Sequence, residues 1–282
     1  MRRKRERPAE TSGLRWWKAA IWVGVIVGLV VGGAEMWSDF SGRRFDGKTR
    51  FTRLVPTEDT VEIWSFDPAD GELIRLILPP ELEVTTIQRG RWMAKAMPNL
   101  GDKYGWKWFG DSLAAFLGIP YTTVANAEGF WDRMTWMWLT RGKPVKDIEV
   151  IKTTWVVERT ALDGQVVYDL SPAWQTKIGE LFYSAAVAAG GWKLAVYNPT
   201  GVAGLGAKLA RIAETQGFKV VVLAQGEGEE ENCRVRAAEM SKEKTEVRWL
   251  KNYFGCDEET SGQLNADEVE LIVGKRFSGW GG

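Results

Sequence analysis

The chain contains no histidine. That removes every mechanism built on an imidazole: Ser–His and Cys–His nucleophile pairs, and metal sites with histidine ligands. Cysteine is nearly absent. Only Cys233 and Cys256 occur, too far apart for a CxxC redox or zinc motif. Two readings of the pair stay open, one disulfide in an oxidising compartment or two buried thiols. Net charge is also missing, with 37 Lys and Arg against 37 Asp and Glu. A balanced chain gives no electrostatic reason to expect nucleic acid as a partner.

What is present is globular in character. Of the 282 residues, 45% are hydrophobic and 26% charged, which excludes a disordered chain. The 16 Trp residues exceed what packing a chain of this length requires.

The N-terminus reads as a membrane anchor. Residues 1–15 open with the basic run Met1-Arg2-Arg3-Lys4-Arg5 and form a cytoplasmic tail. Residues 16–38 are expected to be a transmembrane helix, because Ala19 to Ala34 carries no charge and Trp16-Trp17 and Met36-Trp37 bracket it. As a helix, Trp16 to Trp37 covers about 33 Å, enough for a bilayer. Paired Trp at both ends suits the interfacial belts, and the basic head predicts the N-terminus inside and the rest outside. The competing reading is a cleaved signal peptide, with Gly32-Gly33-Ala34 as its small-residue cleavage site.

Beyond the anchor the pattern is α/β. A hairpin is expected from Val61–Phe66 and residues 73–78, turned by Asp67-Pro68-Ala69-Asp70-Gly71 and ended by Pro79-Pro80. Residues 81–106 read as irregular. Helices are expected near 108–117 and 127–139, and strands near 148–157 and 165–169. Ser171-Pro172 opens a linker helix over 171–190, stopped by Gly190-Gly191. Residues 191–282 give the order strand–helix–strand–strand–helix–strand, a small βαββαβ layer, with residues 218–223 as a buried strand.

Three groups are candidates for chemistry. The run Gly201-Val-Ala-Gly204-Leu-Gly206 between strand and helix admits a phosphate site, but a tight turn is the favoured reading. Glu58-Asp59 before the hairpin, with Glu81 and Glu83 after it, places carboxylates where a divalent cation could sit; a solvated sheet edge is the commoner outcome. The run from Phe130 to Leu139 puts Phe130, Trp131, Met134 and Trp138 on a helix that could line a lipid-chain pocket, dip into a membrane interface, or serve as plain core.

Two stretches resemble known families. Val196-Tyr197-Asn198-Pro199-Thr200-Gly201-Val202-Ala203-Gly204-Leu205, with Gly217-Phe218-Lys219-Val220-Val221 and the closing Ala266-Asp267-Glu268-Val269, resembles the C-terminal domain of LytR-type envelope proteins. Residues 39–170 are similar to a shortened LytR–CpsA–Psr core. Asp59-Thr60, Ser65-Phe66-Asp67-Pro68, Phe116-Leu117-Gly118-Ile119-Pro120 and Glu128-Gly129-Phe130 carry that likeness. The resemblance implies a membrane-anchored protein of the cell envelope, its domains extracytoplasmic, that handles glycopolymer on a polyprenyl-pyrophosphate carrier. Mg²⁺ would be held at Asp59, with Glu81 a second ligand. One departure weighs against catalysis. The family has Pro-Arg-Asp where this chain has Pro79-Pro80-Glu81, and proline offers no cationic fork to a phosphate. The expectation is therefore a non-catalytic protein that binds or scaffolds wall polymer, lipid-linked precursor or a partner protein. The alternative is an active phosphotransferase using other arginines such as Arg75, Arg89 or Arg91.

Overall fold

The computed structural model describes residues 21–23, 45, 47–228 and 230–280. The expected transmembrane helix and basic tail lie outside the described residues, apart from Ile21, Trp22 and Val23, which are helical. Among the described residues no helix is long and apolar enough to cross a membrane. Residues 44–282 form one compact unit.

Period-2 alternation builds the first sheet. Strands β1 (Phe51–Pro56), β2 (Val61–Phe66) and β3 (Leu73–Ile77) form an antiparallel meander. The register sets Leu54 beside Ile63, and Ile63 beside Leu76. These residues face the main hydrophobic core. The alternate residues Phe51, Phe66 and Leu73 face the other way, into a smaller cluster with Phe45 and Trp136.

Residues 81–106, expected to be irregular, carry regular elements. They form a hairpin of β4 (Glu83–Thr86) and β5 (Gly90–Met93), then helix α1 (Met97–Tyr104). Gly90 and Gln88 take left-handed backbone to close the hairpin. Pro98 lies in the first turn of α1, where its missing N–H costs nothing. These turn and start signals read as breakers in the sequence.

Helix α2 (Trp106–Leu117) follows and stops at Gly118, whose φ of 73° suits glycine at a helix end. The two-residue β6 (Thr123–Val124) joins β1 in parallel. Helix α3 (Phe130–Thr140) starts three residues later than expected, after a 3₁₀ turn at 125–127. Strand β7 (Val145–Glu149) adds in parallel to β3, and β8 (Val156–Thr160) pairs with β9 (Val166–Leu170).

The stretch 171–190, expected as a linker, is part of the core instead. Helix α4 (Pro172–Leu181) and the short α5 (Ala185–Ala188) bury Trp174, Ile178, Phe182 and Val187 in the same cluster as Leu113 and Leu209. The Trp174 Nε1–H donates to the Leu117 carbonyl at 2.9 Å. Large apolar side chains on this segment had more to gain from the shared core than from spanning a gap.

The C-terminal layer contains β10 (Lys193–Tyr197), α6 (Leu205–Gln216), β11 (Lys219–Ala224), β12 (Arg234–Ala237), α7 (Thr245–Phe254), β13 (Asp257–Thr260) and β14 (Glu268–Ile272). The sheet order is β11-β10-β14-β12-β13. Strand β13 was not foreseen. Its Asp257-Glu258-Glu259 run is a poor strand former, but the acids find cations: Glu259 accepts from Arg234 and Arg236 of the neighbouring β12, and Glu258 from Lys251. Strand β11 is an exposed edge rather than a buried strand, since an apolar run looks alike in both places. Cys233 and Cys256 form a disulfide, with Cα atoms 4.7 Å apart, beside the starts of β12 and β13.

Candidate functional site

The acidic candidates do not assemble into a metal centre. Asp59 is exposed in the turn between β1 and β2. Glu81 lies 3.9 Å from Lys95, and Glu83 accepts from Arg159 and sits 3.6 Å from Arg91. Among the described residues no three His, Cys, Asp or Glu side chains gather where a metal could be held. Magnesium demands near-octahedral oxygen coordination, and the residues present fit a preformed site for it poorly.

The arginines of the first sheet are committed to carboxylates. Arg50 is buried at the start of β1. Its Nη2 lies 3.5 Å from Asp67 and 3.7 Å from Glu72, and its Nε–H donates to the Tyr183 carbonyl at 2.7 Å. Burial pushes its pKa below the usual arginine value, against the pull of Asp67, Asp70 and Glu72. Asp67 also accepts from the Ala185 N–H. The group therefore ties the sheet to the segment between α4 and α5. It was missed in the sequence because only the fold brings residues 50, 67 and 183 together.

On the outer face, cross-strand register lines up Arg53, Trp64, Arg75 and Asp147. Arg53 binds Glu128 through two hydrogen bonds, at 2.6 and 2.7 Å. The Glu128 side chain is only 1% exposed. Arg75 makes a matching fork onto Glu62 and lies 5.2 Å from the centre of the Trp64 ring. Its hydrogen bonds to Glu62 raise the Arg75 pKa and, against burial, lower that of Glu62. Such bidentate pairs use the geometry that would otherwise clasp a phosphate. Arg89, another candidate, lies over Tyr104 at 3.7 Å, and Arg91 is drawn to Glu83.

The expected lipid pocket is instead an outer surface. Helix α3 turns Trp136 and Asp132 inward. Phe130, Met134, Met137 and Trp138 are exposed, Trp138 by 78%. Trp131 is partly buried and packs edge-on against Phe130. A helix so short cannot enclose a chain by itself, and no neighbouring element covers these side chains. The apolar run thus has a core side and an open side, a split that the sequence left unassigned.

A cavity of about 200 Å³ lies elsewhere, where β4, α2 and α6 meet Trp280. Thr85, Thr86, Ile87, Ala115, Phe116, Lys208, Arg211 and Trp280 line it. Lys208 donates to the Trp280 carbonyl at 2.7 Å. Burial, and then the charge of Arg211, pull its pKa below the ordinary lysine value. The space is smaller than pockets that take drug-sized ligands, and far too small for a polyprenyl chain. The glycine run near α6 acts as a turn: Gly201 and Gly204 have φ of 74°, and a Cβ on Gly206 would come within 3.2 Å of Leu223.

The C-terminal sheet with its two helices is a LytR-type C-terminal domain. Residues 192–277 match the family described as LytR cell envelope-related transcriptional attenuator. The match covers less than a third of the chain and does not extend into residues 39–170. No curated protein and no solved structure matches the chain. The matched domain suggests a cell-envelope-related function.

Proposed function

We propose that this chain is a single-pass membrane protein whose extracytoplasmic part binds or scaffolds envelope material without transferring it. Residues 39–170 would be a degenerate LytR–CpsA–Psr-like domain. Its ligand would be wall polymer, a lipid-linked precursor or a protein partner. The observation that carries this reading is the state of the arginines. Arg50, Arg53 and Arg75, the arginines seated at the first sheet, each close on carboxylates. Freeing Arg53 would strip the largely buried Glu128 of its two-bond partner and leave it only the longer contact to Arg133, which is costly. Pro80 stands where the resembled family has its arginine. Electrostatic stabilisation of a departing pyrophosphate needs preorganised, uncommitted cations, and these are committed.

The test uses the full chain in detergent with a labelled polyprenyl-pyrophosphate lipid and Mg²⁺. Lipid retention and phosphate release are followed together. Retention without release is the expected result for a lipid-binding scaffold; neither signal points to a protein partner. Phosphate release that Asp59→Ala abolishes would overturn the non-catalytic reading.

A further inference from the structure

We propose that the open face of α3 is a second membrane contact, lying in the headgroup and upper acyl region of the same bilayer that holds the N-terminal span. This inference rests on the anchored reading above and adds a docked orientation to it.

The helix has two distinct faces. At about 100° per residue, Phe130, Met134, Met137 and Trp138 fall within roughly one third of the circumference. Their exposures are 59%, 44%, 58% and 78%. Asp132 and Trp136 occupy the opposite side and are buried. A contiguous patch of four large apolar side chains marks an interaction surface. Its composition suits lipid: Trp and Phe favour the interface, and two flexible Met side chains adapt to disordered chains. Cations rim it. Arg133 is exposed beside the face although its Nε lies 3.3 Å from Glu128; Arg141 and Lys143 follow the helix, both exposed and neither in an ion pair among the described residues. These would meet anionic headgroups.

Chain length selects the bilayer over other occupants. Phe45 is buried and packs edge-on against Phe51 at 4.8 Å; Phe51 lies 5.2 Å from Trp136, the inner residue of α3. The polypeptide therefore enters the folded unit directly beneath α3. Only residues 38–44 separate Phe45 from Trp37, the end of the apolar span. Even fully extended they reach at most about 30 Å. A unit tethered that closely, through the residue under α3, has its apolar helix within easy reach of lipid.

The disulfide makes the test clean. Cys233 and Cys256 are the only cysteines and are bonded to each other. Trp138→Cys or Met134→Cys therefore supplies the only free thiol for a nitroxide label. Leu162→Cys, on the fully exposed β8–β9 turn, is the aqueous control. The full chain is reconstituted sparsely in vesicles of phosphatidylethanolamine with about a third phosphatidylglycerol. Collisions with oxygen, which concentrates in lipid, are compared with those of a water-soluble nickel chelate. The expected result is an oxygen-to-nickel ratio several-fold higher at 134 and 138 than at 162. Chains that float with the vesicles but show the same ratio at 138 as at 162 would refute the contact and leave the anchor standing. A label at 138 shielded from both reagents would mean burial against protein, and would also refute it. Failure to float would remove the anchor and this inference together.

Discussion

Replacing Trp174 by Ala asks whether residues 44–282 unfold as one body. Trp174 belongs to α4, is almost wholly buried, and lies in the one core cluster that holds residues of both sheet layers. Its ring lies 6.4 Å from that of Trp155, and its Nε1–H donates to the last carbonyl of α2. Truncating a buried Trp costs about 3–5 kcal/mol. The orphaned Leu117 carbonyl adds roughly 1 kcal/mol, depending on whether water enters the void. Set against a total stability of about 5–15 kcal/mol, the loss is large. In a unit of this size each kcal/mol moves Tm by about 2–4 °C, so a fall of roughly 10–20 °C is expected. Trp174→Phe keeps most of the packing and should lose about 1–2 kcal/mol.

The assay is calorimetry of residues 44–282 beside urea unfolding followed by two probes. One transition should move as a whole. Two transitions, with only one displaced by Trp174→Ala, would show that α4 joins two independent domains. A shift below about 3 °C would show that the large-to-small estimate misjudges this site.

Two further outcomes follow. Removing the disulfide with Cys233→Ser and Cys256→Ser should cost about 3 kcal/mol on the chain-entropy account of a sequence separation of 23 residues, and thiol labelling of the unfolded, unreduced protein should find no reactive cysteine; two labelled thiols would end the idea. Glu62 should make stability depend on acid: Arg75 holds its pKa below the ordinary 4.5, so its contribution is complete above about 4.5 and is lost as pH falls through the depressed value. Because Glu62 is partly solvated, Glu62→Gln should cost no more than about 1 kcal/mol at neutral pH, and its difference from the parent should vanish in acid; a difference unchanged across the titration would refute the pairing.

Much of this fold was legible because it obeys short-range rules. The β2–β3 hairpin declares itself through alternation and the turn at Asp67 to Gly71, and α6 through its apolar spacing and Gly217. The failures share a cause. Strand β13 is a row of acids that becomes a strand only beside Arg234 and Arg236. Strand β11 is an apolar run whose exposure depends on what lies at the sheet edge. Helix α4 looks like a connector until Leu113 and Leu209 are seen to share its core. In each case a tertiary neighbour decides, and local pattern does not contain it.

The functional residues follow the same logic with larger consequences. Sequence can count arginines near a presumed site, and it offered Arg75, Arg89 and Arg91 as substitutes for the one replaced by Pro80. It cannot show that Arg75 is forked onto Glu62, or that Glu128, in the motif-like Glu128-Gly129-Phe130, serves as a partner for Arg53. The same pairing explains the posture of α3. Glu128 sits two residues before the helix, its side chain buried and bound to Arg53 of the sheet, and Trp136 anchors the helix middle near Phe51. With both points fixed from below, the helix cannot roll to bury Phe130, Met134 and Trp138. One of those fixed points is the ion pair that takes Arg53 out of reach of a phosphate. One set of contacts turns an arginine away from chemistry and holds an apolar face outward.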